Sequence, residues 1–255
     1  MKMLIKYVMI DILRSKIAAG YTLFLLAVSL SFFNLEDDPS KGLLSLLNII
    51  LIIVPLISII FATIYVYNSA EFIELLVSQP IRRTTLLASI YAGITTSLML
   101  AVLVGIGLPV FLYDRSQVGL TLVIAGMILT AVFAGLAILA SVITRDKAKG
   151  IGLSLLLWFY FAIIFDGLIL FILFQFADYP LEKVSIALTA LNPIDLSRIL
   201  VLLKMDIAAM MGYTGAVFQA FFEGLYGYLF IGMVMLVWIA LPIFIAIKKF
   251  NKKDL

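Results

Sequence analysis

The sequence predicts an all-α integral membrane protein with six transmembrane helices, on three observations. Hydrophobic residues fill 64% of the 255 positions and charged residues only 13%, a balance that cannot form the surface of a soluble globule. Six apolar runs approach or exceed the roughly 20 helical residues needed to cross a hydrocarbon core about 30 Å thick. Lysine and arginine also collect in alternate connections between those runs, as the orientation rule for short loops requires.

The expected spans are Ile17 to Phe33, Gly42 to Tyr67, Leu86 to Tyr113, Val118 to Thr144, Gly150 to Phe176 and Leu225 to Ile247, within one transmembrane domain over 1–255. With the N terminus inside, 13 of the 18 basic residues fall on the inner face. The expectation is therefore a multi-pass protein of the cell's inner membrane with both termini cytoplasmic. The first sixteen residues carry Lys2, Lys6, Asp11, Arg14 and Lys16, and no small-residue cleavage site follows, so the first span is expected to stay. They read as an interfacial helix on the inner leaflet, or else as an extension of the first span.

Span two contains Asn48 and Pro55, and span three contains Gly105, Gly107 and Pro109, which predict kinks that shape packing. Between them, segment 68–85 interrupts the apolar pattern. Glu71 and Glu74 precede Leu75, Leu76 and Val77, which at helical spacing sets a charged edge beside an apolar one. Pro80 then ends the helix before Arg82 and Arg83. Such a segment is suited to contact with a partner, and these five polar, proline and basic positions are its candidate contact residues.

Span four pairs small residues four apart, Ala131 with Gly135 and Ala137 with Ser141, so another helix can approach closely, from this chain or a second copy. The loop after it carries Arg145 and Lys147 and either only fixes topology or adds a second inner contact. Span five holds Asp166. An aspartate at a helix centre costs about 2.5–3.5 kcal/mol on insertion scales, so it should face protein or water. Asn48, Thr95, Thr96, Ser97 or the Asp166 of a second subunit are its candidate partners. A proton or cation site and a protonated, hydrogen-bonded packing residue are both open readings.

Segment 177–224 keeps helix-forming runs. Asn192 reads as an N-cap, Pro193 as the first helical residue and Asp195 as a first-turn acid, with Arg198 and Lys204 further along. The expected arrangement is a set of outer interfacial helices forming a lid or platform. Met205, Met210 and Met211 are the sole metal candidates, since thioethers suit Cu(I); packing or lipid contact is the other reading.

Several chemistries are excluded. The chain has no histidine and no cysteine, which removes imidazole bases, thiols, disulfides and the usual zinc sites. None of the 16 glycines precedes a lysine, so no phosphate-binding loop of the G-x-x-x-x-G-K type exists. A non-catalytic subunit with no cofactor of its own is expected, and with the charges placed as they are, lipid rather than nucleic acid is its surrounding partner.

The run Glu74-Leu75-Leu76-Val77-Ser78-Gln79-Pro80-Ile81-Arg82-Arg83 resembles the E-L-L-L-S-x-P-x-x-R segment of the six-span ABC type-2 exporter permeases. In that family it follows span two and forms a coupling helix. Glu74, Pro80 and Arg83 carry over, whereas the usual Gly-Thr-Leu is replaced by Glu71-Phe72-Ile73. Ser141 to Leu153, running on to Trp158-Phe159 and Phe165-Asp166, is similar to the NosY-like branch, as is Leu191 to Arg198. The resemblance implies a homodimer coupled to a separate NosF-like ATPase, which binds the ATP and magnesium. It further implies a NosD-like periplasmic partner and a role in maturing the copper–sulfur centre of nitrous-oxide reductase in denitrification. A general exporter of a lipid, drug or peptide is the alternative, and an ATP-independent secondary transporter using Asp166 is a second.

Overall fold

The computed structural model describes residues 2–36, 39–176, 182–205 and 225–252, and among these every regular element is helical. Among the described residues six helical stretches are long and apolar enough to cross a membrane: Lys16–Leu35, Ser40–Asn68, Arg83–Tyr113, Gln117–Ile143, Lys147–Gln175 and Gly227–Asn251. They match the expected six spans, with boundaries shifted by at most four residues.

The N-terminal residues form a separate helix, α1 (Lys2–Leu13), ended at Arg14 and followed by α2 (Lys16–Leu35). Ser15 makes the break definite, because its side chain caps α2 by accepting from the Ala18 N–H at 3.1 Å. Of the two readings of this segment, the separate helix is the one observed. It buries Val8 and Ile12 against α5 (Arg83–Val102), and Gly93 permits that approach, since a Cβ there would strike Val8.

Span two is α3 (Pro39–Asn68), continuous through Pro55, and α4 (Ala70–Val77) follows it after a single intervening residue. In span three, α5 passes through a π-helical turn, Leu103–Gly107, into α6 (Leu108–Tyr113). The kink expected around Gly105, Gly107 and Pro109 takes this form. Pro109 has no N–H to give the carbonyl four residues back, and the widened turn directly before it absorbs the mismatch.

Span four, α7 (Gln117–Ile143), is the central helix, packed along α3, α5 and α12 (Leu225–Asn251). Its small residues do what their spacing predicts. Ala131, Gly135, Ala137 and Ser141 are all buried, and the Gly135 surface faces Pro242 and Ile243 of α12 in the same chain. Span five is α8 (Lys147–Phe159), a second π-helical turn, Tyr160–Ile164, and α9 (Phe165–Gln175). Its first half is tied to span two through a buried Thr63–Ser154 hydroxyl pair at 2.7 Å and by the Trp158 indole N–H donating to the Ile52 carbonyl at 3.1 Å.

Before the last span come α10 (Glu182–Ala190) and α11 (Pro193–Lys204), which meet at a bend of 113°. Their corner does not lie over the end of the bundle as an outer platform would. Asn192 is fully buried and donates from its side-chain amide to the Phe161 carbonyl, and the Trp238 indole donates to the Ala190 carbonyl at 3.2 Å. Phe161 and Trp238 are the middle residues of their spans, so the corner enters to mid-depth. The cause is the apolar face of α11: Ile194, Leu196 and Val201 are buried against the bundle, α7 included.

Gly150 tests this packing. A Cβ there would overlap the Tyr67 ring, whose hydroxyl is bonded to Thr144, whereas Gly152 has nothing within 4 Å of the same position. Gly150→Ala is expected to destabilise the folded chain by about 1–3 kcal/mol through forced displacement of Tyr67. Gly152→Ala is expected to leave thermal unfolding in detergent unchanged or slightly raised.

Candidate functional site

Two polar sites stand out against the apolar body, one at the end of the bundle that bears α4 and one at mid-depth around Asp166. At the first, α4 is held by one buried residue, Ile73, while Glu71, Glu74 and Leu75 point outward, Leu75 being 66% exposed. An exposed leucine beside two exposed carboxylates is a contact surface of mixed character. Pro80, Ile81 and Arg82 continue this exposed edge to the start of α5.

The surroundings of α4 come from five other helices. Phe72 packs on Tyr7 of α1 with ring centroids 5.2 Å apart. Lys147, at the start of α8, donates to the Asn68 side chain at 2.7 Å, next to the entry of α4. Arg83 donates to the Phe250 carbonyl near the end of α12 at 3.4 Å. A cleft of about 310 Å³ opens between these parts, lined by Tyr67, Ala70, Ile73, Glu74, Arg145 and Phe250. Glu74 and Arg145, far apart in sequence, therefore share one cleft, and Glu71, Glu74, Pro80, Arg82, Arg83, Arg145 and Lys147 all lie at one end of the bundle. Asp146 fixes the α7–α8 loop by capping α8, accepting from the Lys149 N–H at 2.8 Å.

At the second site the structure supplies a partner for Asp166 that differs from the expected ones. The Arg198 guanidinium lies 3.1 Å from Asp166 and 3.0 Å from Asp195, through the same nitrogen. Asn48 instead bonds within its own helix to Leu44, and Thr96 and Ser97 bond back to Ala92 and Gly93. The six spans offer no mid-depth cation, but the α10–α11 corner carries one in. Asn192 completes the cluster: its amide donates to Asp195 at 2.8 Å and to the Phe161 carbonyl at 2.9 Å, while its oxygen caps α11 by accepting from the Ile194 N–H. The N-cap, first-turn proline and first-turn acid read from the sequence are all present.

Ser185 and Thr189 of α10 line a cavity of about 230 Å³ beside these three charges. Two carboxylates thus face one guanidinium, and the Asn192 amide supplies Asp195 with a second donor. Met205 sits at the end of α11, while Met210 and Met211 lie outside the described residues. Among the described residues no three His, Cys, Asp or Glu side chains gather as a metal site would need.

What the sequence could not supply was the meeting of Arg198 with Asp166. The i, i+3 spacing of Asp195 and Arg198 was its one visible trace. Arg198→Met is expected to destabilise the fold by about 3 kcal/mol, at the low end of the range for breaking a buried pair because Asp166 and Arg198 are each about one-third exposed. Adding Asp166→Asn and Asp195→Asn should restore much of the lost thermal stability, which a purely steric role for Arg198 would not allow.

Comparison with known proteins gives this geometry its context. Residues 4–255 match the ABC-2 family transporter protein model. A protein of Pseudomonas aeruginosa described as "Probable ABC transporter permease protein NosY" is 28% identical over 207 residues, covering 74% of this chain and 75% of its own length. With the family match running over nearly the whole sequence, the chain belongs to the ABC-2 family of transporter membrane proteins.

Proposed function

We propose that this chain is the permease subunit of an ATP-driven transporter, and that α4 is where a separate ATPase subunit docks from the cytoplasm. The observation that carries the reading is the exposed Glu71–Glu74–Leu75 edge of α4, seated by the buried Ile73 with Leu76 and Val77 beside it and packed on α1 through Phe72 and Tyr7. Glu71, Glu74, Pro80, Arg82 and Arg83 form the main contact, and Arg145 and Lys147 extend it across the shared cleft. ATP and magnesium belong to the partner, in keeping with the lack of a phosphate-binding loop here. The concentration of basic residues at this end supports a cytoplasmic position for it and for both termini, in an inner membrane.

The working unit is a homodimer, supported by family membership and by the long exposed apolar surface of span five, which includes Leu156, Leu170 and Phe174. The similarity to the NosY protein supports a finer assignment: work on the copper–sulfur centre of nitrous-oxide reductase, with a periplasmic protein on the outer face. Under this reading the Asn192–Asp195–Arg198–Asp166 cluster holds the corner that moves, or holds still, when the spans rearrange. Export of a lipid, drug or peptide is the competing outcome.

Glu74→Ala should weaken ATPase binding by about 1.4 kcal/mol, tenfold in Kd, with a matching loss of permease-stimulated ATP hydrolysis and unchanged thermal unfolding of the chain itself. Normal stimulation in the reconstituted complex would remove α4 from the coupling role. For the finer assignment, deleting the gene should leave nitrous-oxide reductase without the absorption of its copper–sulfur centre. A reductase with a normal spectrum would favour the general exporter.

A further inference from the structure

We infer that the groove between spans three and four, at the end opposite α4, is a binding site for one zwitterionic phospholipid with a primary ammonium, of the phosphatidylethanolamine type. The groove encloses about 540 Å³ between the π-helical turn and α6 on one side and the first half of α7 on the other. Its walls are apolar, with Leu103, Leu108, Phe111, Leu120 and Ile124 between 43% and 64% exposed. The π-helical turn sets its shape, because it shifts α6 out of register with α5 and leaves Gly107 opposite Val123.

Dimensions identify the occupant. From its mouth at Ser116 to Met127 the groove follows eleven residues of α7, which at 1.5 Å per residue is roughly 16 Å. Half of a bilayer core about 30 Å thick is about 15 Å. The groove thus has the length of a single leaflet's acyl chain, and its polar end lies at headgroup level.

Charge then selects the headgroup. Asp114 and Arg115 stand side by side at the mouth, and neither has an ion-pair partner among the described residues. Arg115 is held over the Phe111 ring, 5.0 Å from its centroid, with its Nε donating to the Phe111 carbonyl, so its terminal nitrogens remain for a phosphate. Asp114 accepts a hydrogen bond from the Ser116 hydroxyl at 2.6 Å, which orients the carboxylate. An anionic headgroup with no cation would meet repulsion from Asp114. A quaternary choline has no N–H to donate to it, whereas a primary ammonium does.

The test is photo-crosslinking of the full chain in nanodiscs. Two probes with identical diazirine-bearing acyl chains are compared, phosphatidylethanolamine and phosphatidylglycerol, and the labelled peptides are mapped by mass spectrometry. The ethanolamine lipid should label residues 103–127 with about a tenfold preference, the worth of one charge-assisted contact of ~1.4 kcal/mol. Asp114→Asn should abolish the preference while keeping the labelling. Arg115→Gln should reduce labelling by both lipids, and Leu120→Trp, which fills the groove from an exposed position, should remove it. Equal labelling by the two lipids, or labelling indifferent to Leu120→Trp, overturns the inference. So does a disulfide-linked dimer formed through Leu120→Cys in this otherwise cysteine-free chain, which would show a second copy in the groove.

Discussion

The side-chain amide of Asn192 fixes the interior of this protein, because a helix pair that turns back inside a membrane breaks its hydrogen-bond ladder where no water is available to mend it. The break between α10 and α11 exposes backbone groups at the depth where the spans are most apolar. Asn192 answers with three side-chain hydrogen bonds, capping α11, holding the Phe161 carbonyl and gripping Asp195. Trp238 takes the Ala190 carbonyl on the other side of the bend. With the corner so placed, Arg198 is delivered to Asp166, and a lone mid-span acid becomes part of a cluster with one cation. Each member would be costly alone, so the cluster and the corner stand together.

The opposite end of the bundle follows different physics. There the charges are solvated, and rigidity comes from contacts among the elements around α4. Tyr67 lies across Gly150 and bonds Thr144, Lys147 reaches Asn68, and Phe72 packs on Tyr7. A force applied to α4 therefore meets α1, α3, the α7–α8 loop and α8 together. Surface ion pairs contribute little to such a site. The opposite edge of α4 stays exposed because Ile73, Leu76, Val77 and Phe72 already seat the helix on its inner side.

Much of this was legible from residue pattern, for physical reasons. Six spans follow from apolar length, and the close packing of α7 follows from Ala131, Gly135, Ala137 and Ser141 at four-residue spacing. The start of α11 was written locally in Asn192, Pro193 and Asp195, since caps are short-range devices. Depth was not local. Whether α11 lies on an interface or enters the bundle depends on what its apolar face meets on α7, across many tens of residues. The partner of Asp166 was missed for the same reason: charge counting assigns a loop arginine to the water side, and only tertiary packing brings Arg198 in. The π-helical turns were legible only as Gly105, Gly107 and Pro109 in span three, while Tyr160–Ile164 has neither glycine nor proline to mark it.

Span five is the element that touches both polar sites, and its construction bears on how they communicate. Its α8 half is bound to span two by Thr63–Ser154 and by Trp158 to the Ile52 carbonyl, so it moves with α3 and with the base of α4. Its α9 half carries Asp166 and is bound to α11 instead. Between them lies the π-helical turn, whose Phe161 carbonyl is the one Asn192 holds. A π turn is a place where a helix changes register at low cost. Motion arriving through α3 and α8 therefore has two outlets: to carry α9 and the corner along as one body, or to shear at the π turn against the grip of Asn192 and Arg198. Asn192 ties the start of α11 to the π turn and Arg198 ties α11 to Asp166 just beyond it, so these two grips together resist that shear.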